Sequence, residues 1–133
     1  MASFDSRVRD LAGRAGLRIE DLNTSRARLR FRCDRSSQVL WIYPYDSVWE
    51  FSCQSSFSHT DLGRFPQALL AAVLVENSNN KRGFWCLEKI VNSYVLEYMQ
   101  NFPEYLLTPD EFDKICWRVV KAVDALEAAL LPR

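Results

Sequence analysis

Four groups of residues have types suited to chemistry. His59, the only histidine, sits in Ser-His-Thr-Asp61, where an imidazole and a carboxylate two residues apart could act as a general base pair or bind a metal. A lone histidine in a polar stretch is ordinarily a surface residue, and no second histidine supplies a metal set. Cys33, Cys53, Cys86 and Cys116 include no Cys-x-x-Cys pair and each lies in an apolar segment, so they read as reduced core residues rather than zinc ligands or a disulfide. Contacts made by folding could still turn one into a nucleophile. The glycines, Gly13, Gly16, Gly63 and Gly83, form neither a G-x-G nor a P-loop pattern, so no phosphate cradle is expected. The fourth group is Arg28, Arg30 and Arg32, spaced by two. On a strand they form one basic face, and with Trp41 and Tyr43 nearby they could track phosphates and stack bases of a single-stranded nucleic acid. The alternative is a solvated face whose arginine stems lie over apolar neighbours.

Nothing in these groups requires a cofactor, and no enzyme activity is expected. A chain of 133 residues, 48% hydrophobic and 26% charged, is long enough for one domain to build a core without disulfides or metal. No apolar run approaches a membrane span and the first residues lack a signal-peptide pattern, so a cytoplasmic protein without membrane contact is expected. The net charge is zero but unevenly placed: residues 1–35 hold nine arginines against five acids. The two parts of the chain can therefore attract each other, within one molecule or between two.

The stretch from Pro66 to Asn101 organises the chain. Pro66 to Glu76 has the composition of a helix buried on more than one side, with proline at the tolerated first position. Asn77-Ser-Asn-Asn-Lys-Arg-Gly83 stops it and reverses the chain. Phe84–Ile90 and Ser93–Asn101 then form a hairpin about Val91-Asn92-Ser93. Upstream, Phe4, Val8, Leu11, Ala12 and Ala15 mark a first helix, started by Ser3 or Asp5 and stopped by Gly16. Leu17, Ile19 and Leu22 read as a connection packed on the sheet edge.

From Ala27 the period changes to two, giving a strand to Cys33. Val39–Tyr43 is apolar throughout, as in a strand covered on both faces or offered to a partner, and Pro44 is expected to end its pairing. Val48–Cys53 completes a three-stranded meander, and Gln54–Arg64 reads as a polar loop. Thr108-Pro-Asp-Glu111 is a strong helix start for an apolar stripe from Phe112 to Leu130, stopped by Pro132.

The aromatic load of these strands exceeds what three helices can cover on two sheet faces, and such rings favour interfaces. Trp41, Tyr43, Trp49 and Phe51 are the expected protein-binding residues, with an extended segment adding along the sheet. Leu70, Val73, Leu74 and Trp85 are the expected contacts of a homodimer, because the Pro66–Glu76 helix has no polar face to give to water.

The order of helix, three strands, helix, two strands and helix resembles the small dimeric chaperones of type III secretion and the YbjN-type proteins of the same fold. The likeness spans nearly all of residues 1–133, read as one domain. Its best local matches are Ala71-Ala-Val-Leu-Val-Glu-Asn-Ser-Asn-Asn-Lys-Arg-Gly-Phe-Trp-Cys-Leu87 and Thr108-Pro-Asp-Glu-Phe112. The resemblance implies an α+β fold with a mostly antiparallel sheet, here of five strands, and a non-enzymatic homodimer that holds an extended segment of a protein client, still unidentified. Nucleic-acid binding through Arg28, Arg30 and Arg32 is the alternative function.

Overall fold

The computed structural model describes residues 2–131. Helix α1 (Phe4–Ala15) begins where Ser3 Oγ accepts from the Ser6 amide and ends at Gly16, whose φ of 72° is open to glycine at little cost. Strands β1 (Ile19–Leu22), β2 (Ala27–Arg32), β3 (Ser37–Tyr45) and β4 (Val48–His59) follow. A 3-10 turn at Leu62–Arg64 leads to α2 (Gln67–Asn79), then to the hairpin β5 (Phe84–Ile90) and β6 (Ser93–Pro103), followed by a second 3-10 turn at Glu104–Leu106. Helix α3 (Pro109–Leu130) starts as its sequence predicts, with Thr108 Oγ1 accepting from the Glu111 amide and Pro109 in the first turn. The expected stop at Pro132 lies outside the described residues.

The six strands form one antiparallel sheet in the order β1-β2-β3-β4-β6-β5. Directly opposed residues share a face, so the register separates the two sides of the sheet. Leu29, Leu40, Cys53, Tyr98 and Trp85 make one row across five strands. All are buried in a single core with Val8 and Leu11 of α1, Leu69 and Val73 of α2, and Phe112, Ile115 and Val119 of α3. The three helices therefore lie on one face. The neighbouring row, Arg28, Trp41, Ser52, Met99 and Phe84, belongs to the opposite face, over which no described helix packs.

Four expectations change. The sheet has six strands rather than five, because Ile19–Leu22 pairs with β2 instead of merely lying at its edge. With only four residues, two of them acids, and an irregular register at Ile19/Asp21, it carries little strand signal. Pro44 does not end β3, since it pairs with Trp49. The last β2 pair on that side is Ala27 with Ile42, so β3 is an edge there and tolerates a missing donor. The polar loop expected at Gln54–Arg64 is strand as far as His59, with a register shift between Gln54 and Ser58. Its serines are satisfied by the fold: Ser55 Oγ donates to the Leu96 carbonyl at 2.5 Å, and the Ser56 amide and hydroxyl both donate to Glu127 at 2.7 Å. Finally, α2 starts one residue later, with Pro66 as its cap, and continues to Asn79. Within one chain it is covered on one side only. Leu69 and Val73 are buried, while Leu74 and Val75 are 66% and 61% exposed.

Candidate partner-binding surfaces

The α2–β5 face is built by asparagines. The Asn77 side chain accepts from the Trp85 amide at 2.6 Å and donates to the Trp85 carbonyl at 2.9 Å, holding the start of β5 against the last turn of α2. Asn80 accepts from the amides of Arg82 and Gly83, and its Nδ2 donates to the Tyr98 hydroxyl. Gly83 is required by that ring, since a Cβ there would stand 2.5 Å from Tyr98. Chain reversal explains these residues only in part; their amides also fix the helix to the sheet.

The result is an apolar groove of about 170 Å³ lined by Leu70, Val73, Leu74, Trp85, Leu87 and Leu96. All four residues expected at a homodimer contact thus line one groove. Val73 and Trp85 form its floor and Leu74 its exposed rim. The Trp85 indole N–H is buried without an acceptor among the described residues.

The helix-free sheet face is the second surface. Trp41 and Tyr43 stack there with ring centres 6.2 Å apart, both half-buried. Trp49 and Phe51, expected to join them as exposed pocket residues, do not. They oppose Pro44 and Ile42 on the core side, are 2% and 0% exposed, and pack edge-on against Phe4 and Phe112 respectively. The physical reason is the alternation of β4: with Cys53 inward, Trp49 and Phe51 point inward as well.

Charge divides this face. At the β1–β2 end, Glu20 lies between two arginines, 2.6 Å from Arg30 Nε and 3.4 Å from Arg28 Nε, while Arg26 reaches Asp21 at 3.7 Å. Arg30, by hydrogen bond and then by charge, holds the Glu20 carboxyl below its ordinary value. Arg26 and Arg28 also stand over the Trp41 ring, each 5.5 Å from its centre. Arg32 lines a different cavity, beside Trp117 and Lys121, so the three arginines expected as a continuous basic track are divided.

At the other end Glu50, Glu88 and Glu97 share a cavity with Tyr43 and Tyr45. Glu97 is 1% exposed. Burial first, and then the hydrogen bond and charge of Glu88, push its carboxyl up to about 9. The sequence marks this cluster only faintly, as acids at alternate positions among apolar residues.

The remaining candidate chemistry is not assembled. His59 packs edge-on against Phe65 at 4.7 Å, while Asp61 caps the 3-10 turn by accepting from the Gly63 amide. No group of three or more metal-ligating side chains occurs among the described residues. The four thiols are free, and burial pushes Cys33 up to about 11 and Cys86 up to about 12, far from a ready thiolate. No described helix is long and apolar enough to cross a membrane.

No protein-family model matches the chain, and no curated protein matches it in sequence. Solved structures do match its fold. YbjN from E. coli, a candidate transcription regulator, aligns with a TM-score of 0.69 at 15% identity, over 93% of this chain and 90% of that one. The ExsC–ExsE complex aligns with a TM-score of 0.66 at 12% identity, over 98% of each chain. The chain has a YbjN-like, type III secretion chaperone-like fold.

Proposed function

We propose that this protein is a single-domain, non-catalytic, chaperone-like module that binds another protein and works as a homodimer. The observation that carries the dimer is α2. It is apolar around its circumference yet buries only Leu69 and Val73, leaving Leu74 and Val75 in water beside a groove that continues onto β5. A second copy placed there covers both residues.

The client surface follows from the other face. Trp41 and Tyr43 are stacked, half-buried rings on a sheet face without a helix, the kind of platform that holds an extended segment. A solved structure of similar fold, the ExsC–ExsE complex, is itself an assembly of two proteins, which supports this reading over a catalytic one. Nucleic-acid binding draws less support, because Arg32 lines a different cavity from Arg28 and Arg30, so the three do not form the continuous track that a run of phosphates needs.

Sedimentation at micromolar concentration tests the dimer, which is expected at twice the 15.5 kDa of one chain. A mass of one chain alone rejects it. Capture from native lysate tests the client surface: wild-type protein is expected to retain a partner that Trp41→Ala loses, and equal retention rejects that surface.

A further inference from the structure

We infer that the cavity between β2, β3 and the C-terminal end of α3 is a binding site for a small oxyanion, the shared chemistry of phosphate and carboxylate groups. The cavity measures about 650 Å³, within the range of small-molecule sites, and Arg28, Arg30, Arg35, Trp41, Ser56 and Glu127 are among its lining residues. Three arginines line this one cavity, and guanidinium groups supply the donor geometry that oxyanions take.

These arginines are held in place. Arg28 stands over Trp41, Arg30 is fixed through Nε to Glu20, and Arg35 Nη1 lies 3.6 Å from Glu127 Oε1. Their donors are nevertheless far from used up. Each guanidinium has five N–H groups, and the carboxylates of this chain engage few of them. Arg35 Nε is buried with no acceptor among the described residues, and Arg28 Nε faces Glu20 Oε1 at 3.4 Å but off the line of a hydrogen bond. Glu127 has little left to offer, since Gln38, the Ser56 amide and the Ser56 hydroxyl already donate to it. A ligand with two or more oxygens can take the remaining N–H groups in charge-assisted hydrogen bonds.

Charge sets the class of ligand. The charged residues lining the cavity are Arg28, Arg30, Arg35 and Glu127, with Glu20 and Asp124 behind them, a balance that suits one anionic group rather than several. A polyanion needs a continuous track, and the next arginine, Arg32, faces the neighbouring cavity.

The test is a titration of the full chain followed by NMR at the Trp41 indole N–H and the Ser36 and Ser56 amides. Inorganic phosphate and acetate are the two probes, each balanced with sodium chloride to constant ionic strength. A saturable shift is expected with at least one probe, and which one saturates identifies the oxyanion. Arg30→Gln and Arg35→Gln are each expected to weaken that binding by about tenfold or more. Lys121→Gln, in the neighbouring cavity, is expected to leave it unchanged. Arg35 contacts a buried carboxylate, so its variant is accompanied by far-UV circular dichroism; if it does not fold, the exposed Arg30 decides. Linear shifts equal to those with chloride alone overturn the proposal. So does unchanged affinity in Arg30→Gln, or a single-stranded oligonucleotide that binds in place of both probes and requires Arg32.

Discussion

Asn77 replaces a missing strand at the start of β5: one side-chain amide both donates to and accepts from the backbone of Trp85, as a neighbouring peptide group would. The two contacts join a surface helix to the sheet edge next to the proposed dimer groove. Asn77→Ala is expected to cost about 2 to 3 kcal/mol, the loss of two part-buried hydrogen bonds, measured by urea denaturation. Amide exchange in α2 should accelerate more than in α3.

The dimer proposal predicts a sharp effect at an exposed position. Leu74 is 66% exposed in one chain and makes little contribution to its core. Leu74→Glu is therefore expected to halve the sedimenting mass while leaving the monomer folded, because a carboxylate desolvated at an apolar contact costs several kcal/mol. Unchanged mass would move the interface elsewhere.

Trp49 and Trp41 make a matched pair of substitutions. Trp49→Ala removes a core ring packed on Phe4 and is expected to cost about 3 to 5 kcal/mol in denaturation. Trp41→Ala, on the other face, is expected to cost much less.

Stability should fall with pH through neutrality because of Glu97. A carboxyl raised to about 9 in the folded chain holds its proton where the unfolded chain, near the ordinary 4.5, has lost it. Folding is then favoured below the unfolded value, and this contribution is lost progressively between the two values, by at most about 1.4 kcal/mol per pH unit for one proton. Glu50, also raised by burial and then by Glu88, acts in the same direction. Urea titrations at pH 5.5 and 8 check this. The decline should be absent, or much smaller, in Glu97→Gln.

Glu127 and Asp124 fasten α3 to a strand irregularity and to a turn at once. Asp124 accepts from the Arg35 and Ser36 amides in the β2–β3 turn, and Glu127 accepts from Ser56 at the shift in β4. Gln38 Nε2 bridges the two carboxylates, at 3.3 Å from Asp124 and 2.8 Å from Glu127. Glu127→Ala leaves buried donors and the Arg35 charge without an acceptor and is expected to cost about 3 to 5 kcal/mol by denaturation.

Local signals predicted most of this fold. Thr108 with Pro109 starts α3, Ser3 and Gly16 bound α1, and the alternation through Leu29 and Phe31 orients β2. What the sequence hid depends on contacts distant along the chain. Ser55 and Ser56 read as loop because their partners, Leu96 and Glu127, lie 41 and 71 residues away. Burial of Trp49 and Phe51 follows from the register of β3 with β4, which composition does not reveal. Glu20 was equally hidden: its importance comes from a strand of four residues brought beside Arg28 and Arg30. The apolar character of α2 was plain, but not that two of its leucines and valines would face water.

The sheet order has a kinetic meaning. β4 finds its second neighbour in β6, beyond a helix and another strand, and their ladder runs from Val48 opposite Pro103 to His59 opposite Tyr94. On the ribosome, β4 emerges well before β6 exists to pair with it. For that interval one side of β4 is a bare template, with Trp49, Phe51 and Cys53 not yet enclosed, open to pairing with another nascent chain. Slow, non-local closure of this kind places the vulnerable moment of this protein's life in its synthesis, before either of the proposed binding faces has formed.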